Sequence, residues 1–328
     1  MVTALRRIQY GVETTRGTAV SASKRLLGRL STTPRYELYR PDDEERNSLG
    51  MYHRLTNVGQ HSELEWAGSL TFEQVIVFLS MGVKAEAIST PAGGTTSRDW
   101  LYEPTLTAAN SQKAFTFQYG DDVQAYQYVF TMAEELEFTY AMNAVMTGRA
   151  RMFARKYTQT TFTASPTLAT VEDVVTNNTK LYVDTTWANL GTTEKNAVLV
   201  NATLRLPTGL TRTKYADGSL NFSSFGEAKR SMEVEMTLKH SAVGRDDFLE
   251  KFDDQSLNFI RLETSGSTIE GALTKLFRVD MAVRWHEAGA LFEDMNGENI
   301  FVLRGQTYHD PTADRDLRIL VRNTQTAL

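Results

Sequence analysis

Three clusters in this chain carry residue types used in catalysis or metal binding, and none has the spacing that either needs. His286-Glu287 opens like the zinc pattern His-Glu-x-x-His, but Ala288-Gly289-Ala290 follows and supplies no second histidine one helical turn on. Asp294-Met295-Asn296-Gly297-Glu298 has the composition of a calcium loop, yet its glycine stands two places early and the distal glutamate is missing. The acidic pairs Asp121-Asp122, Asp246-Asp247 and Asp253-Asp254 are adjacent in sequence. Adjacent side chains on a turn or helix face solvent differently and make poor acid–base couples. Five histidines are scattered, and no G-x-S-x-G elbow, dinucleotide fingerprint or phosphate-binding loop is present. With no cysteine there is no disulfide, thiolate nucleophile or thiolate metal site. The expectation is a protein that is not an enzyme and uses no cofactor or metal.

The elements around these residues are strands. Apolar and polar residues alternate with a period of two, which places one set on each face of a sheet. Glu63-Leu64-Glu65-Trp66 predicts a strand, and Phe72, Val75, Ile76, Phe78 and Leu79 predict a helix after it. Strands are predicted at Phe115–Tyr119, Tyr126–Phe130 and Leu136–Tyr140, the first two joined at Gly120-Asp121-Asp122. Arg149, Arg151 and Arg155 mark a basic strand. Further strands are predicted at Leu181–Val183, Ala202–Leu206, Met232–Leu238, Leu276–Trp285, Ile300–Leu303 and Leu317–Val321, with a helix over Arg245–Phe252 and a hairpin turn at Asn296-Gly297. Leu64, Trp66, Val234 and Met236 are the predicted core-facing residues of two of these strands.

At roughly 150 residues per domain, 328 residues suggest two folding units. A weak internal repeat agrees. Glu63-Leu64-Glu65-Trp66 matches Glu233-Val234-Glu235-Met236, and Phe78-Leu79 matches Phe248-Leu249, both at an offset of 170 residues. The predicted organisation is an N-terminal arm and long loop over 1–50, a first β unit over 51–157, a threonine-rich linker over 158–180 and a second β unit over 181–328. The fold class expected is mainly β with a minor α component: two tandem sandwich or half-barrel units, each with one short packed helix.

Formal net charge is -5, and no lysine or arginine run is long enough to neutralise a series of phosphates, so tight nucleic-acid binding is not expected. No apolar stretch approaches membrane-spanning length. Met1 to Ile8 carries Arg6 and Arg7 with no apolar run behind them, so production in a cytoplasm is expected rather than secretion. The sequons at Asn177, Asn201 and Asn221 are then expected to be fortuitous.

Gln9-Tyr10-Gly11-Val12-Glu13-Thr14-Thr15-Arg16-Gly17-Thr18-Ala19-Val20, followed by Ala22 and Leu26-Leu27, resembles the opening of major tail tube proteins of long-tailed, siphovirus-type bacteriophages. The rest of the chain resembles that family only in the order of its elements. The resemblance implies a virion protein made in the host cytoplasm, whose rings stack into a hollow tube. Its partners would be copies of itself, the tail terminator, tail tip and tape-measure proteins, and double-stranded DNA that passes without tight binding. It implies no membrane. Family members resemble a single unit and form hexameric rings; a doubled chain suggests instead three chains in a pseudo-sixfold ring. In this reading Glu63, Glu65, Glu233, Glu235, Arg149, Arg151 and Arg155 form the lumen or inter-subunit face, with the arginines pairing to acidic strands of a neighbouring copy. Tyr10, Glu13, Arg16, Asp42, Asp43, Glu44 and Glu45 are the candidate inter-ring contacts. The alternatives are another tail-end protein, or a carbohydrate-binding, adhesin-like double sandwich with exposed tyrosines and tryptophans as stacking platforms. A hydrolase whose paired acids are brought together only by folding ranks behind both.

Overall fold

Leu64 and Trp66 point into the protein, as do Val234 and Met236, and all four are buried. The strands that carry them are each followed by a helix that covers the same face. The computed structural model describes residues 5–41 and 44–328. Half of the chain is strand and 8% helix, so the helices act as covers on an antiparallel β framework.

The first half contains β1 (Arg7–Val12), β2 (Arg29–Tyr39), β3 (Thr56–Ser69), α1 (Val75–Gly82), β4 (Phe115–Gly120), β5 (Ala125–Tyr140), β6 (Thr147–Ala154) and β7 (Thr158–Thr160). The second contains β8 (Thr179–Asp184), β9 (Leu199–Pro207), β10 (Glu233–Lys239), α2 (residues 242–253, with a π-helical middle), β11 (Asn258–Glu270), β12 (Leu273–Ala288), β13 (Glu298–Thr307) and β14 (Leu317–Asn323).

Six pairings of the first half recur in the second, every one antiparallel. β1·β4, β4·β5, β5·β6, β6·β3, β3·β2 and β5·β7 correspond to β8·β11, β11·β12, β12·β13, β13·β10, β10·β9 and β12·β14. Even the irregularity repeats. β5 bulges between Ala133 and Glu135 opposite β6, and β12 bulges between Trp285 and Glu287 opposite β13. A bulge bends the strand, and here the bend lets one 16-residue strand serve two differently oriented parts of the sheet.

The halves are joined by main chain. β5 pairs with β9 from Tyr140↔Ala202 to Glu135↔Pro207, so eight strands run in the order β2-β3-β6-β5-β9-β10-β13-β12. β14 reaches back to pair with Arg98–Tyr102 of the first half.

Both helices lie on the same side of this framework. All eight residues of α1 are buried, and its Phe78 ring sits 4.3 Å from Trp66. Phe248 in α2 lies 6.2 Å from Trp285. Ser241 caps α2 by accepting from the Gly244 N–H at 3.1 Å, satisfying one orphan donor of the first turn.

Several sequence expectations are corrected. Residues 7–39 are not a free arm, because β1, the short strand Lys24–Leu26 and β2 all pair within the chain. Tyr126–Phe130 and Leu136–Tyr140 belong to one continuous strand, β5. Much of 158–180 is docked rather than linking loosely: Val174 is buried and its N–H donates to the Leu70 carbonyl at 2.9 Å. β11 and Arg98–Tyr102 carry too little clean alternation to be predicted.

Trp66 fixes the strand–helix contact and donates its indole N–H to the Leu27 carbonyl at 2.7 Å. Trp66→Ala should cost about 3–5 kcal/mol, read as a shift in the denaturant midpoint; a change below about 1 kcal/mol would show that the site collapses around the missing ring.

Candidate functional site

The face opposite the helices carries charge in alternating columns. β3 presents Glu63 and Glu65, β6 Arg149 and Arg151, β5 Glu135 and Glu137, β9 Arg205, β10 Glu233 and Glu235, β13 Arg304, and β12 Glu287. The registers set these residues opposite one another: Glu65↔Arg151, Arg151↔Glu135, Arg149↔Glu137, Glu137↔Arg205, Arg205↔Glu233, Glu235↔Arg304 and Arg304↔Glu287. At the far edge β2 adds Arg35.

Neighbouring columns bond to each other. Arg35 meets Glu63 at 3.0 Å, Arg149 meets Glu65 at 2.8 Å, and Arg205 bridges Glu135 at 2.8 Å and Glu233 at 3.6 Å. Arg304 bridges Glu235 at 2.7 Å and Glu287 at 2.5 Å. Arg151 reaches only 4.0 Å from Glu135. The hydrogen bonds from Arg149 to Glu65, from Arg205 to Glu135 and from Arg304 to Glu235 and Glu287 each raise the arginine's pKa. Partial desolvation pushes Glu63 upward, but the Arg35 hydrogen bond and charge outweigh it, and its pKa lies below the usual glutamate value.

Most of these side chains are about half exposed, and exposed pairs contribute roughly 0.2–1 kcal/mol each. The grid therefore does little for stability. What it does is select neighbours, because a strand of the wrong sign, or one shifted in register, brings like charges together. Of the residues named, seven are carboxylates and five are guanidinium groups; Glu37 and Arg284, also on this face, add one of each, and a mild acidic excess remains.

The expectation pairs Arg149 and Arg151 with acidic strands of another copy; within the chain their closest acidic partners are Glu65 and Glu135. Arg155 has left the grid. It donates to the Gly17 and Phe222 carbonyls, both at 3.1 Å, and lies over the Phe130 ring at 5.3 Å.

The proposed inter-ring residues divide differently. Tyr10 and Glu13 are buried, which removes them as surface contacts. Tyr10 packs against Phe115 and Phe117, with ring centroids near 6 Å. Burial drives the Tyr10 phenol's pKa well upward. Glu13 accepts from the Gly17 N–H at 2.6 Å, the Thr116 hydroxyl at 2.9 Å and the Phe130 N–H at 2.7 Å. Phe130 has φ +57° in mid-strand, a conformation that costs energy for a bulky residue, and the Glu13 bond helps hold it there. Burial raises the Glu13 pKa, opposed by these hydrogen bonds and by Arg155. Arg16 is exposed, donates to the Gln112 carbonyl at 2.8 Å and lies over the Phe225 ring. The segment Gln9–Val20 is thus a clip that closes the first unit. Glu44 holds Arg46 at 2.8 Å and Arg54 at 2.5 Å, while Glu45 is exposed. Asp42 and Asp43 lie outside the described residues.

The motif-like clusters have structural uses. Asp121 accepts from the Val123 and Gln124 N–H groups inside its turn, Asp246 bonds Arg245, and Asp247 bonds Lys195. His286 is the extra residue of the β12 bulge, and Met295 and Glu298 pair across the Asn296-Gly297 turn. The sequon asparagines each accept a backbone N–H at 3.0 Å: Asn177 from Asn143, Asn201 from Met142 and Asn221 from Lys156. All four tryptophans are buried, so none offers a sugar-stacking platform.

Sequence reasoning missed Glu270. At the end of β11 it accepts from Thr95, Thr96 and Ser97, including the Thr95 N–H and the Ser97 N–H, both at 2.8 Å. These bonds tie a loop of the first half to the second. No protein-family model matches the chain, and no curated protein matches it.

Two outcomes follow from these clips. Glu13→Ala leaves the Phe130 and Gly17 N–H groups without their acceptor and should destabilise the protein by about 2–4 kcal/mol, measured by chemical denaturation. Glu270 has its pKa lowered by the Ser97 and Thr95 hydrogen bonds. Its contribution is therefore complete above the usual glutamate range, near about 4.3, and is lost only as pH falls through the lower native value. The amide shifts of Thr96 and Ser97 should stay constant while ordinary carboxylates titrate; a midpoint in the ordinary range would contradict the clip.

Proposed function

We propose that the protein is a structural, non-catalytic subunit of a bacteriophage tail tube, assembling with copies of itself into stacked rings. One observation carries the reading: two copies of the same β unit are fused through β5·β9 into an eight-strand sheet with one face covered by helices and the other a charged grid. Such a sheet suits the wall of a tube, with its helices outward and its grid on the lumen. The slight acidic excess suits passage of DNA, since like charge suppresses the phosphate contacts that would retain it. The N-terminal resemblance to tail tube proteins points the same way. Three chains, each supplying two units, would form a pseudo-sixfold ring; the tail terminator, tail tip and tape-measure proteins are its proposed partners in the virion.

The long β2–β3 hairpin supports contact between rings. Its exposed apolar residues include Tyr39, Leu49, Met51, Tyr52 and Leu55, an arrangement that invites burial against another protein.

Negative-stain microscopy of the concentrated protein should show hollow filaments or rings, with three chains per ring in averaged images. Dispersed single particles at all concentrations would remove the assignment, and six chains per ring would remove the trimer.

A further inference from the structure

The pairing of β5 with β9 inside the chain has an empty counterpart at each end of the eight-strand sheet. β2 is the equivalent of β9: Thr33 lies opposite Glu63 as Arg205 lies opposite Glu233. β12 is the equivalent of β5: Glu287 lies opposite Arg304 as Glu135 lies opposite Arg151. In β9 the edge away from β10 is taken by β5, whereas in β2 the edge away from β3 has no strand partner among the described residues. Likewise, among the described residues, the end of β12, residues 284–288, pairs with β13 on one side and with no strand on the other. The chain thus carries one completed joint and the two unmatched halves of a second.

Resting on the proposed assembly, the geometry points to a head-to-tail joint in which the outer edge of β2 in one copy pairs antiparallel with the end of β12 in the next, in the β5·β9 register. Transferring that register sets Arg35 opposite Glu287, as Pro207 is opposite Glu135, and Thr33 opposite Gly289, as Arg205 is opposite Glu137. It also places the Tyr36 N–H against the His286 carbonyl, matching the 2.9 Å bond from the Thr208 N–H to the Glu134 carbonyl.

The charges support this partner. Along the band of the grid the charges run basic at β2 with Arg35, acidic at β3, then basic, acidic, basic, acidic and basic, ending acidic on β12 with Glu287; Glu37 of β2 and Arg284 of β12 lie on the same face outside that band. Only an even number of columns lets the alternation continue from one copy into the next, and eight columns do so. Glu287, already bonded to Arg304 on one side, would meet Arg35 on the other.

Pro34 fits the same phase. The Thr208-to-Glu134 bond shows that even-numbered residues of β9 donate toward β5; the equivalent residues of β2 face outward, and Pro34 is one of them. It has no N–H to lose within the chain, removes one bond from the new joint, and blunts pairing with unrelated strands.

Apolar surface lies at the same place. Beside the β2 edge is a cleft of about 710 Å³ lined by Leu30, Pro34, Tyr126, Tyr128 and Tyr157. Leu291 and Phe292 follow the end of β12 and are 43% and 66% exposed.

A chain without cysteine allows a direct test. Arg35 and Glu287 would be a non-hydrogen-bonded pair, whose close Cα approach suits a disulfide. The full-length Arg35→Cys, Glu287→Cys double variant, assembled and then oxidised, should give a ladder of covalent multimers on non-reducing gels. Each single variant should stay monomeric on the gel, and so should Ser31→Cys combined with Glu287→Cys, which is out of register. Separately, Arg35→Glu should raise the concentration needed for assembly by about tenfold or more, and adding Glu287→Arg should restore it. Rings or tubes that form normally but give no in-register cross-link would overturn the joint and leave the tube reading intact. Wild-type protein that never assembles would overturn the tube reading itself.

Discussion

The rest of the architecture depends on the main-chain ladder between β5 and β9. Without it the two units would still meet where β14 pairs with Arg98–Tyr102, but their sheets would be separate; with it, the sheets are continuous and the helices cover the same side. The ladder needs a long β5 that leaves its own hairpin with β4 and turns toward β9. Positive φ at Phe130 and the bulge at Glu134 make that turn, and the Glu13 carboxylate braces it. Interactions far apart in sequence therefore converge on one strand.

Stability and specificity are divided between the two faces of the sheet. The helix-covered face buries Trp66, Phe78, Phe248 and Trp285, whose burial supplies several kcal/mol each by area. The charged face contributes far less per pair, since its side chains stay solvated. Its information lies in the order of signs, which rewards one neighbour and one register. A surface built in this way discriminates between strands while adding little to the fold.

Polar clips hold chain segments to fixed positions, and those of Glu270 and Lys275 cross between the halves. Glu270 gathers the 95–97 loop, and Lys275 joins the buried Glu73 at 2.5 Å while reaching Glu172 at 3.2 Å. Asp280 is fully buried and is neutralised by Arg261 and Arg318, at 2.6 and 2.5 Å. Removing one partner from such a set leaves a buried charge unpaired, so these contacts resist rearrangement more than the exposed grid does.

The sequence by itself determined the mainly β class, the strand-plus-helix segments near Trp66 and Met236, and the inward set of each, because a period of two is a local signal that survives any arrangement of neighbours. It also contained the repeat, in a few residues at one offset. It did not reveal β1 and β2 as strands, since Gln9, Glu13 and Pro34 look like loop residues until their partners are known. It did not show that Tyr10 and Glu13 are interior, nor that Arg149 turns to Glu65 of its own chain. Those outcomes belong to tertiary structure, because strand pairing joins residues a hundred or more positions apart and no local pattern encodes which edges meet.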